Sequence, residues 1–227
     1  MNMDEPGTLY IVSTPIGNLM DITLRALEIL KSVDCIVCED TRVTLKLLNR
    51  YEIKKHLVSF HSKSSGGVLK KINRIMLEGS NIALVSDSGT PVISDPGSKL
   101  VQYLLKNGTT IVPVPGPSSV HTVLMASGIS LSEYTFIGFL SSKKSRRKRM
   151  LENLKNFKTT YVFFESPHRI IAFLEDALES FGHVQGCVAK EMTKKFEKYY
   201  RGEISDIIGM MKADGIKGEY TIVIDNR

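Results

Sequence analysis

The order of apolar and polar positions divides the chain into short strand-like runs and longer helical ones. Residues 9–13 form an apolar run rich in β formers, ending in the turn composition Thr14-Pro15-Ile16-Gly17-Asn18. A helix is predicted over 22–31, where Asp21 can cap the start and Leu24, Leu27 and Leu30 share a face. Residues 33–38 read as a second strand, followed by Glu39-Asp40-Thr41-Arg42 and a helical pattern through Leu45, Leu47 and Leu48. The alternation continues with strand 57–60, helix 68–77, strand 81–85, helix 97–106 and strand 110–114. Strands and helices alternating on short connections predict a mostly parallel sheet covered on both faces. Pro113, Pro115, Gly116 and Pro117 then punctuate the chain. Beyond them come a helix near 119–127, strands at 134–139 and 161–164, a helix at 168–180, a strand at 184–190 and a terminal strand at 220–224. The expected fold class is α/β, with an N-terminal lobe over 1–117, a C-terminal lobe over 118–227 and a cleft between them.

Composition agrees with this and narrows it. With 42% apolar and 24% charged residues among 227, the chain is neither disordered nor fibrous. No apolar run approaches the roughly 18 residues of a membrane span, and the first residues lack a basic-then-apolar leader. A cytoplasmic location is expected. Cys35, Cys38 and Cys187 are too few for a disulfide framework. Cys35 and Cys38 have C-x-x-C spacing, but residues three apart in a strand face opposite sides, so buried packing is expected in place of a metal or redox pair. His56, His61, His121, His168 and His183 show no ligand spacing, and no metal is expected.

Charge changes the picture more. The formal net charge is +6, and six of the seven residues from Lys143 to Arg149 are basic, which suits a polyanionic partner. Met150, Leu151, Leu154 and Phe157 have helical spacing, so the run is expected in a loop and the first turn of an amphipathic helix. Cations there oppose the macrodipole. Phosphate binding explains them better than local stability does, with a solvated helix start as the alternative.

Six loops that follow predicted strands hold the unusual residues: Thr14 to Leu19, Glu39 to Arg42, Ser86 to Gly97, Pro115 to Ser119, Glu165 to Arg169 and Lys190 to Thr193. In open α/β sheets ligands gather at such strand ends. The third loop, Ser86-Asp87-Ser88-Gly89-Thr90-Pro91-Val92-Ile93-Ser94-Asp95-Pro96-Gly97, spends two glycines and two prolines on a fixed backbone that a small organic cofactor can approach closely. A rigid turn before a helix would look similar. Neither a P-loop nor a dinucleotide G-x-G-x-x-G is present, which demotes ATP and NAD. Pro115-Gly116-Pro117-Ser118-Ser119 is no nucleophile elbow, because Val120 stands where its last glycine belongs. Ser118 and Ser119 can instead cap the next helix or meet a ligand.

In sequence order, Thr14-Pro15-Ile16-Gly17-Asn18-Leu19, Glu39-Asp40-Thr41-Arg42, Ser86-Asp87-Ser88-Gly89-Thr90-Pro91, Ser94-Asp95-Pro96-Gly97, Pro115-Gly116-Pro117-Ser118-Ser119, Gly138-Phe139-Leu140, Glu165-Ser166-Pro167-His168-Arg169, Glu191-Met192-Thr193-Lys194 and Lys217-Gly218-Glu219 closely resemble the bacterial ribosomal RNA small-subunit methyltransferase I family over nearly the whole chain. Ser13, Ser62, Lys63, Ser141 and Lys190 depart from the usual pattern. So does the lack of the short carboxy-terminal extension that some members carry.

The resemblance implies two lobes of tetrapyrrole-methylase type with S-adenosyl-L-methionine in the cleft, usually a homodimer, and 2′-O-methylation of a decoding-centre cytidine in 16S rRNA or the 30S subunit. By similarity, Gly89, Thr90, Pro91, Val92, Ile93, Ser94 and Asp95 contact the cofactor, largely through backbone, with Ser118 and Ser119 opposite. Phe164, Gly218 and Glu219 are second-lobe cofactor candidates.

A ribose hydroxyl is a weak acid, so a base, or a cation stabilising the alkoxide, is expected. Glu165 and Glu191 are favoured, with Lys190, Glu39 and Asp40 as further candidates; either favoured carboxylate can instead cap a helix or hold the cofactor. Arg42, Lys143, Lys144, Arg146, Arg147, Arg149 and Arg169 suit RNA phosphates, although Arg42 can pair internally with Glu39 or Asp40. Phe139, Phe163 and Phe164 are either core or a stacking platform for a flipped-out base.

Overall fold

The computed structural model describes residues 6–227, and the chain divides into two compact units after Ser118. The first unit alternates β1 (Thr8–Val12), α1 (Leu24–Ser32), β2 (Cys35–Cys38), α2 (Thr41–Arg50), β3 (His56–Ser59), α3 (Gly66–Leu77), β4 (Ile82–Val85), α4 (Gly97–Lys106) and β5 (Thr110–Val114). Its five strands lie in the order β3-β2-β4-β1-β5, all parallel, as the alternation predicts. Asp21 is not the cap of α1. It closes a short 3-10 turn, Leu19–Asp21, and the hydroxyl of Thr23 accepts from the Ala26 amide at 3.1 Å, so the helix starts two residues late.

Strand period sorts the core into two layers. Val12, Ile36, Cys38, Ala83 and Val85 pack with Ala26, Leu30, Leu47 and Leu48 on one side of the sheet. Leu9, Cys35, Val37, Ile82 and Leu84 pack with Ile72, Met76, Leu100 and Leu104 on the other. Cys35 and Cys38 therefore face opposite layers, buried and free, and burial pushes both thiols up. The chain leaves β2 toward β3 and leaves neighbouring β4 toward β5, so the two exit loops diverge and open a crevice at their carboxyl ends.

The second unit comprises α5 (Ser119–Ala126), β6 (Tyr134–Phe139), α6 (Lys144–Leu154), β7 (Thr160–Glu165), α7 (Ile170–Phe181), β8 (Gln185–Lys190), β9 (Lys198–Glu203), α8 (Ile204–Asp214) and β10 (Tyr220–Asp225). Its sheet runs β6-β7-β10-β8-β9. Only β6 and β7 are parallel here, so the second sheet, unlike the first, is mixed. The connection from β8 to β9 is too short for a crossover, so β9 returns antiparallel. Tyr161, Phe163, Phe173, Ile204, Ile207 and Met211 form the core between this sheet and its helices. Tyr220 lies opposite both Glu165 and Lys190, which brings the ends of β7 and β8 to one edge. Among the described residues no helix is long and apolar enough to cross a membrane.

Candidate functional site

In the first unit the loop after β4 is tied down on three sides. Thr14 and Gly89 exchange backbone hydrogen bonds of 2.9 and 3.1 Å, fixing the loop to the end of β1. The Thr90 hydroxyl donates to the Pro117 carbonyl at 3.2 Å, and the Asp40 amide donates to the Asp87 carboxylate at 3.0 Å. Asp95 turns back on its own loop and accepts from the amides of Val92 (2.8 Å) and Gly97 (2.7 Å). Gly89 stands at φ 78°, where a Cβ would come 3.2 Å from the Ile16 side chain. Val92 and Ser94 are held at φ 77° and 62°, left-handed conformations that cost of order 1–3 kcal/mol each and concentrate at functional loops. Gly89 to Asp95 thus form one rigid, strained segment.

Three carboxylates converge beside it. Burial pushes Glu39 up, and the charges of Asp87 and Asp95 push it further. Burial also raises Asp95, with Asp87 adding to the rise against the two amides that stabilise its charge. Glu39, Ser86, Asp95 and Gly97 line one small hollow; Thr14, Pro15, Ser86 and Asp87 line another. Carboxylates that oppose one another's ionisation form a seat for positive charge, not for phosphate.

At the β7 and β8 ends of the second unit the carboxylates are differently occupied. Glu165 is fully buried and accepts from the Ser166 amide and from Arg169 Nε, both at 2.7 Å, and from Arg169 NH2 at 2.6 Å, all on Oε1. Its Oε2 is buried with no partner. Glu165 is thus engaged by Arg169 through one oxygen, with the other enclosed beside it. Glu191 sits at φ 51°, with Oε1 accepting from the Glu219 amide (2.8 Å) and from Lys194 Nζ (3.1 Å). Burial alone would raise its pKa, but the Glu219 amide and the Lys194 ammonium hold it below the usual carboxylate range. Lys194 also reaches Glu219 at 2.9 Å. Gly218 makes this possible: at φ 96°, a Cβ there would lie 2.5 Å from Glu191 Cγ. Lys190 Nζ donates to the Gly215 carbonyl at 3.3 Å. Lys194, which clamps two carboxylates, went unremarked as a site residue in the sequence; its i, i+3 spacing from Glu191 is the signal that marks it.

The cations divide as well. Arg42 is paired with Asp40 through a forked contact of 2.6–3.2 Å, and its hydrogen bonds hold Asp40 down at about 2. Arg169 is committed to Glu165. Arg147 is buried between α6 and α7 in an ion pair with Asp176 at 2.6 Å. Arg147 is thereby corrected from a free phosphate ligand to an internal partner, whereas the Arg42 side chain stays 85% exposed within its pair and Arg169 is partly exposed. Lys143, Lys144, Arg146 and Arg149 are exposed, and no ion pair joins them among the described residues. Phe163 is core, packed on Phe173 at 5.1 Å, whereas Phe164 is half-buried and Phe139 is open to solvent.

A family model described as tetrapyrrole (corrin/porphyrin) methylases matches residues 8–208. Proteins named ribosomal RNA small subunit methyltransferase I are similar over almost the whole chain. That of Bacillus subtilis (strain 168) is 45% identical over 97% of this chain and 76% of its own length. That of Thermotoga maritima is 45% identical over 97% and 99%. Among solved structures, uroporphyrin-III-C-methyltransferase from Thermus thermophilus shares the fold, with a TM-score of 0.68 and 19% identity over 97% of this chain and 94% of that one. Matched by the family model along most of its length and by close relatives along nearly all of it, the chain belongs to the tetrapyrrole methylases and, among them, to the ribosomal RNA small subunit methyltransferase I family.

Proposed function

We propose that this chain transfers a methyl group from S-adenosylmethionine to a ribose 2′-hydroxyl of 16S ribosomal RNA, at a decoding-centre cytidine, acting in the cytoplasm as a homodimer. The observation that carries the reading is the loop from Ser86 to Gly97, with its strained backbone and the mutually opposed carboxylates Glu39, Asp87 and Asp95. These residues fit a donor that carries sulfonium and ammonium charges and no phosphate. The names of the close relatives support the RNA substrate.

When bound, the donor supplies an already activated methyl, so the protein's task is alignment and handling of one proton. Gly89 to Asp95 would hold the donor through backbone groups. Glu191, kept ionised by Lys194, accepts the hydroxyl proton on its carboxylate. Lys190, tethered at Gly215, stabilises the developing alkoxide. Lys143, Lys144, Arg146 and Arg149 hold RNA phosphates.

The test is calorimetric titration with S-adenosylmethionine, followed by transfer of labelled methyl to 30S subunits and to naked 16S rRNA. Saturable binding and label in the RNA are expected. Label that enters a tetrapyrrole and leaves the RNA unmodified contradicts the reading.

A further inference from the structure

Phe139 ends β6 with 57% of its surface exposed. It is not loose. The register of β6 on β7 shifts between Phe136 and Gly138, where Gly138 takes φ 74°, and this bulge sets Phe139 opposite Phe164. The two rings meet at 5.5 Å, tilted by 59°, and Phe164 in turn meets Phe136 at 5.0 Å. One side of Phe139 is therefore braced by a short aromatic ladder while the rest is open.

The chain continues through buried Leu140 into α6, where Arg147 is locked to Asp176 and Leu151 is in the core. With the helix fixed by those contacts, Lys143, Lys144, Arg146 and Arg149 stay in solvent a few residues beyond the ring. A braced, open aromatic followed closely in the chain by exposed cations is a combination suited to single-stranded nucleic acid: bases stack on the ring and phosphates meet the charges. An apolar protein partner, or a second copy of this positively charged chain, would have to bury or oppose those four cations.

We propose that Phe139 is the stacking platform for an unpaired nucleobase of the RNA substrate, with the exposed cations of α6 gripping the adjacent phosphates. This rests on the RNA-methylation reading and adds to it the single-stranded state of the substrate and the residue that senses it.

The chain contains no tryptophan, so a Phe139→Trp variant carries a unique reporter. Phe139→Ala, Phe139→Tyr and Phe139→Trp are compared with the unaltered protein for binding of a single-stranded 16S fragment at fixed salt, for donor affinity by calorimetry, and for sedimentation. Phe139→Ala is expected to weaken RNA binding by roughly 10–100-fold, with sedimentation unchanged and any loss of donor affinity far smaller. Phe139→Tyr is expected to retain binding, and RNA to alter the indole emission of Phe139→Trp. Unchanged RNA affinity in Phe139→Ala, or indole emission indifferent to RNA, overturns the proposal. A change confined to sedimentation also overturns it and assigns the ring to a self-interface. If the unaltered protein neither binds nor methylates RNA, the underlying reading fails as well, so the two failures are distinct.

Discussion

At the scale of single residues, the chemistry rests on backbone conformations that side chains resist. Gly218→Ala places a methyl against Glu191 at a positive φ. A loss of about 1–3 kcal/mol in stability is expected by thermal unfolding. Turnover should fall further than that loss explains, because Glu191 releases Lys194. Glu191→Gln is expected to lower kcat by about 100-fold or more with donor affinity unchanged, read by single-turnover kinetics and calorimetry. The carboxylates around the first loop predict a pH effect. Glu39 and Asp95 have raised folded pKa values, so above those values their paired charges cost the unliganded protein stability. That cost disappears as pH falls through them toward the ordinary 4.5 and 3.8. A cationic donor needs the charged forms, so donor affinity should drop as pH falls through those raised values, and drop less in Glu39→Gln. Calorimetry across that range measures it; a flat profile contradicts the account. The loops after β1, β4 and β5 were legible in the sequence because Gly and Pro cluster with polar residues directly after an apolar strand run. The occupation of Glu165 was not, since its partner Arg169 becomes one only once β7 has ended and the chain has turned into α7.

At the scale of elements, α6 shows where a charge run misleads. Six cations in seven positions look alike in composition. Helical phase separates them: Arg147 lies four and seven residues before Leu151 and Leu154, on the face that enters the core, and meets Asp176 on α7. That phase was readable, but the acceptor, 29 residues away, was not. Arg147→Ala should destabilise the protein by about 3–5 kcal/mol, because Asp176 is left buried and unpaired. In denaturant unfolding, Arg147→Met combined with Asp176→Leu should recover most of that loss. β9 and α8 escaped the sequence reading for a similar reason. Lys198 and Arg201 disguise β9, yet Ile204, Ile207, Ile208 and Met211 carry the helical spacing of α8.

At the scale of the whole molecule, the first unit followed from local rules, because continuous apolar runs such as Cys35–Cys38 and Ile82–Val85 belong to strands covered on both faces. The second unit obeys connection length in preference to alternation, and its direction changes are set by a loop that composition alone does not weigh. The net charge of +6 gains a location in the exposed cations of α6. Neutralising Lys143, Lys144, Arg146 and Arg149 one at a time should each reduce the slope of log affinity against log salt by about 0.7 for single-stranded RNA, whereas Arg147 contributes nothing to that slope. The central claim concerns where the methyl goes. Nuclease digestion of 16S rRNA after incubation with the protein and labelled S-adenosylmethionine, followed by nucleoside mass spectrometry, answers it most directly. The account predicts label on the ribose of a single cytidine, and label on a base, or none in the RNA, contradicts it.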